Sequence, residues 1–170
     1  MTMFLVANTA AWGQNCAMPM AKINVAGIGL NAPFTDFQRQ HPDANIQRFG
    51  NDRLQVAFTN SNTDARLSQQ GVMSAMHIAL HPRTERIVSY GLNFTTDNGA
   101  ITFQTPLDKF KQHLLQKFAL PKTGWQKQAN EYVYRCDDYR IHIGQDHGIA
   151  RQSMGATIVV IGKYSDMFEP

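Results

Sequence analysis

The chain has 170 residues, of which 43% are hydrophobic and 17% charged, so disordered and coiled-coil proteins are excluded. It carries 16 Lys and Arg against 13 Asp and Glu, a net charge of +3, with no apolar run of the roughly 18 residues that a spanning helix needs. The basic residues are spread along the chain rather than clustered, and nucleic-acid binding is not expected because it requires a concentrated basic face.

Residues 3–7, Met-Phe-Leu-Val-Ala, run into small residues. Ala11 and Gly13 match the small-x-small cleavage rule, so residues 1–13 read as a signal-peptide remnant. No Lys or Arg precedes Phe4, and the apolar stretch is shorter than usual. Export to the periplasm or beyond is the expectation. Cys16 and Cys136, the only cysteines, then read as a disulfide closing a loop of about 120 residues. Two unrelated buried thiols are the alternative.

Residues 27–37 and 100–110 share a pattern at an offset of 73: Ile28 with Ile101, Leu30 with Phe103, Pro33 with Pro106, Phe34 with Leu107, Phe37 with Phe110. Each is a short alternating strand, a Pro in the first helical turn, then an apolar stripe. The first helix is predicted at about 32–41, stopped by Pro42. The second follows Pro106, with Thr105 as its cap, Phe110, Leu114 and Phe118 on its apolar face, and Pro121 beyond its end. Strands are predicted at about 45–50, 53–59, 72–80 and 86–95, then at 124–128, 131–136, 139–144 and 156–163. Polar stretches at 60–71 and 144–155 read as long loops. The fold class is therefore α+β, a tandem repeat of one helix packed on a four-stranded antiparallel sheet. The modules are 14–97 and 98–170, packed as one unit.

This tandem, together with Ile28-Gly29-Leu30-Asn31-Ala32-Pro33-Phe34 running into Pro42-Asp43-Ala44, resembles the β-lactamase-inhibitor-protein architecture. It is also similar to the helix-start segment of small outer-membrane-assembly lipoproteins. The usual Gly-Met-Thr of that segment is replaced here by Gly29-Leu30-Asn31. The resemblance implies a protein-binding surface on a curved sheet, without catalysis.

No residue cluster announces a reaction. Gly27-Ile28-Gly29 is too short for a dinucleotide fingerprint. His77 and His81 lack the Glu neighbour of a metalloprotease helix. His142, Asp146 and His147 are the best metal or hydrolase constellation, but their spacing matches no known ligand motif. No metal and no cofactor is expected. The binding surface is placed on Tyr132, Tyr134, Arg135, Arg140, His142, Asp146, His147 and Arg151, because Tyr and Arg anchor protein interfaces. Alternation leaves open whether Tyr132 and Tyr134, or Glu131, Val133 and Arg135, share a face with Arg140 and His142. The expected role is occlusion of another protein, as an inhibitor of an envelope or secreted enzyme or as an immunity protein against a toxin. The alternatives are an envelope hydrolase using the His/Asp cluster and a non-inhibitory envelope scaffold.

Overall fold

A computed structural model describes residues 15–50, 52–59, 63–94, 106–146 and 155–168. The chain opens with a hairpin, β1 (Asn24–Val25) and β2 (Ile28–Gly29). Its two-residue turn places Ala26 and Gly27 at positive φ, and Asn24 Oδ1 accepts a hydrogen bond from Gly27 N at 2.9 Å. Helix α1 (Phe34–Gln40) follows, with Pro33 as its cap residue at φ −61°. Phe34 N donates to Glu85 O at 2.9 Å, which ties the helix start to the turn before a later strand. Phe34 and Phe37 are its buried residues, as the apolar stripe predicts.

Strands β3 (Ala44–Phe49), β4 (Arg53–Phe58), β5 (Val72–Leu80) and β6 (Ile87–Phe94) come next, with α2 (Ala65–Gln69) between β4 and β5. Helix α3 (Leu107–Lys117) precedes β7 (Trp125–Gln128), β8 (Glu131–Arg135), β9 (Tyr139–Asp146) and β10 (Gly155–Gly162). The eight long strands fall within a few residues of their predicted positions. Thr105, the expected cap of α3, lies outside the described residues.

The predicted assembly is wrong. There are not two four-stranded sheets carrying one helix each. One antiparallel sheet of eight strands runs β3-β4-β5-β6-β10-β9-β8-β7, and the β1-β2 hairpin forms a second, two-stranded sheet. Among the described residues three α-helices of 7, 5 and 11 residues accompany them, so strand dominates there. The physical reason lies in β6 and β10. Both are strongly apolar, and an apolar strand left at an edge exposes unpaired backbone to water. They pair with each other from Ser89↔Ile161 to Phe94↔Ala156, which merges everything into one layer.

The core lies on one face of that layer. Tyr90, Leu92 and Phe94 of β6, Ile158 and Val160 of β10, and Tyr139, Ile141 and Ile143 of β9 join a single cluster with Phe37 of α1, Leu67 of α2, and Phe110 and Leu114 of α3. Burying a side chain such as Phe110 or Leu114 contributes about 2–3 kcal/mol. The amino-terminal segment is clamped to the same face. Cys16 and Cys136 form a disulfide with Cα atoms 5.0 Å apart. Tyr134 Oη accepts from Ala17 N, and Tyr139 Oη donates to Met18 O, both at 2.8 Å. Gly162 permits this close approach: a Cβ there would meet Leu30 Cδ1 at 3.2 Å and Met20 Sδ at 3.4 Å.

Candidate functional site

Among the described residues the buried side chains of all three helices belong to the one core cluster, which leaves the second sheet face without a helix. An antiparallel sheet tolerates this when the second face carries polar residues in alternation. Strand register identifies them. One row across the sheet runs Gln55, Ala79, Ser89, Ile161, Arg140, Arg135. The next runs His77, Gly91, Val159, His142, Val133. Asn93 Nδ2 donates to Ser74 Oγ at 3.0 Å, and Thr157 Oγ1 donates to Asn93 Oδ1 at 2.9 Å, forming a polar bridge over three strands.

The register settles the question that alternation left open. Tyr132 pairs with Ile143 and Tyr134 with Ile141, so both tyrosines face the core. Both are buried. Tyr132 donates its hydroxyl to Asp108 Oδ1, and Tyr134 stacks on Tyr139 with ring centroids 5.7 Å apart. Their placement on the binding surface is therefore corrected: their hydroxyls fasten α3 and the amino-terminal segment. Glu131, Val133 and Arg135 share the helix-free face with Arg140 and His142.

Arg135 and Arg140 stand directly opposite one another on β8 and β9. Like charges in cross-strand pairs destabilise a sheet. The Arg140 guanidinium lies 5.0 Å from the centroid of the Phe168 ring, a cation–π contact. Phe168 belongs to the segment after β10, which turns back at this end of the sheet. Lys163 holds the turn, its Nζ 2.6 Å from Asp138 Oδ1 and its N donating to Asp138 O at 2.9 Å. Between this segment and the ends of β4 and β5 lies a groove of about 540 Å³, lined among others by Gln55, His77, Ala79, Tyr164, Asp166 and Met167. Tyr164 is 54% exposed and Met167 43%.

Of the residues in the hydrolase alternative, the structure describes the side chain of His142. Its Nδ1 lies 3.2 Å from Glu131 Oε2 on the neighbouring strand. Asp146 is four residues further along β9, about 13 Å away at the rise of an extended strand. His147 and Arg151 lie outside the described residues. Among the described residues, no three His, Cys, Asp or Glu side chains gather to hold a metal, and no helix is long and apolar enough to cross a membrane.

One polar pair between helices was not legible in the sequence. His41, buried, and Asp64, partly buried, are 23 residues apart and joined through His41 Nδ1 and Asp64 Oδ2. His41 stacks on Phe37 at 4.2 Å, and Asp64 Oδ1 accepts from Leu67 N at 2.9 Å to cap α2. The pair locks the end of α1 to the start of α2. An Asp three residues before a lone Leu was the one available signal.

No protein-family model, no curated protein and no solved structure matches this chain. The likeness to inhibitor-protein modules stands on the quoted residues alone.

Proposed function

We propose that this is an exported protein that binds another protein, an enzyme or a toxin, and occludes its working cleft with the helix-free sheet face. The observation that carries this reading is the Arg135–Arg140 cross-strand pair. Two arginines opposite one another on adjacent strands concentrate positive charge on this face, which an acidic surface on a partner would complement. Arginine is also among the residues that concentrate binding energy at interfaces. Exposed Tyr164 and Met167, in the segment whose Phe168 meets Arg140, supply apolar contact beside the groove. A sheet backed by a packed core presents these groups with little ordering cost on binding. Export rests on the disulfide, which persists in oxidising compartments.

The test uses the disulfide-intact protein against the extracytoplasmic fraction of the producing cell. The expected result is a captured enzyme or toxin whose activity falls to zero at one equivalent of this protein. The Arg135→Glu/Arg140→Glu double variant should weaken binding by about 2 kcal/mol or more, the range of an interface hot spot. Full inhibition by the double variant would move the interface elsewhere. A captured partner that stays fully active would refute occlusion.

A further inference from the structure

The segment Met73-Ser74-Ala75-Met76-His77 is where β5 departs from regular pairing. Register shifts fall between Val72 and Ser74 and between Ala75 and His77, so Met73 and Met76 are the extra residues of two bulges in β5 against β6. A bulge sets two residues of one strand against a single residue of its neighbour, and bulges often re-aim side chains at functional sites. Here Met73 and Ser74 stand against Asn93, and Met76 and His77 against Gly91. The Ser74–Asn93 hydrogen bond marks the first group on the helix-free face. For the second, a Cβ on Gly91 would lie 3.0 Å from the His77 ring and 3.5 Å from Met76 Cβ. Only glycine at position 91 leaves room for this arrangement.

Asn93 and Gly91 are two residues apart on β6, which separates the two methionine positions by about 7 Å along the sheet. An unbranched thioether with three rotatable bonds spans such a gap readily. Met73 is 47% exposed and Met76 53%, although methionine is among the residues most often buried. His77 Nε2 is buried and has no hydrogen-bond partner. An unpaired buried nitrogen in a native fold calls for an explanation, and a bound ion is one of the few available.

We propose that Met73, Met76 and His77 form a site for a soft monovalent cation, Cu(I), held by two thioether sulfurs and the imidazole Nε2. Thioether and imidazole donors without a carboxylate select Cu(I) over the hard divalent ions. Sequence reading overlooked the segment because it weighed His77 against carboxylates and a second His, not against thioethers. The site shares the helix-free face with the docking reading through His77 but uses neither of its arginines.

The test uses Ag(I), a redox-inert stand-in for Cu(I), in chloride-free buffer without reductant. The Cys16–Cys136 disulfide then stays closed and no thiol competes. Native mass spectrometry reports both the ion count and the closed disulfide in one spectrum. One silver ion per wild-type chain is expected. Met73→Leu/Met76→Leu, which preserves volume at exposed positions, should lose it, and Met167→Leu should keep it. Methyl resonances of Met73 and Met76, and not that of Met167, should shift in the wild type as silver is added. A wild-type chain that takes up no silver would overturn the proposal. So would a double variant that retains the ion, or methyl shifts confined to other methionines.

Discussion

Asp108 accepts from the Tyr132 hydroxyl, and Lys127 Nζ reaches the same carboxylate oxygen at 3.3 Å. Lys111 Nζ sits 4.0 Å from the centroid of the Tyr132 ring. The hydrogen bond from Tyr132, then that from Lys127, hold the Asp108 carboxyl below its ordinary pKa, while the same bond pushes the Tyr132 phenol up. Asp108 therefore contributes stability that is fully present above its unfolded pKa and is lost as pH falls through the lower folded one. Asp108→Asn should be less stable than wild type by a constant amount above the ordinary carboxylate range, and the gap should close as pH falls through the lowered folded pKa. Urea midpoints between pH 2 and 6 measure this, and a gap that does not change with pH would contradict it. The sequence could not place Tyr132 because Glu131-Tyr132-Val133-Tyr134-Arg135 offers two good faces. Aromatic side chains suit a core as well as an interface, and only their partners on α3 and the amino-terminal segment decide.

Helix α3 was legible because its apolar period is strong and two prolines bracket it. Phe110 is 1% exposed in the joint cluster, so Phe110→Ala should cost about 3–5 kcal/mol in chemical denaturation. A loss below about 1 kcal/mol would contradict the packing of α3 on the sheet. Helix α2 was not legible: five residues with one buried leucine give no periodicity, and its stability comes from the Asp64 cap and the His41 contact. Strands were legible because alternation with period two is a local signal. The polar stretch 144–155 was read as all loop, yet β9 continues to Asp146 and β10 begins at Gly155.

What joins the strands is not local. The pairing of β6 with β10 brings Ser89 against Ile161, 72 positions apart in the chain, and nothing near either strand announces its partner. The repeat at an offset of 73 anticipated α1 and α3, while the strand of its second copy lies outside the described residues; it misjudged the assembly, which is one sheet of eight strands. The disulfide was legible, since a lone pair of cysteines in an export reading has few other fates. It spans 120 positions and ties the amino-terminal segment to the turn between β8 and β9. Cys16→Ser/Cys136→Ser should lose about 2–5 kcal/mol relative to the oxidised wild type and match the wild type in reductant. Equal urea midpoints for the oxidised and reduced wild type would contradict that anchoring role. Of the candidate residues, alternation put Arg140 and His142 on one face, but only the β8–β9 pairing shows that Arg135 joins them and the two tyrosines do not.

Amide hydrogen exchange, with and without a captured partner, tests the docking face most directly. Binding should slow exchange in β8, β9 and residues 163–168 while leaving α1 and α3 unchanged. Protection confined to the helices would contradict the account.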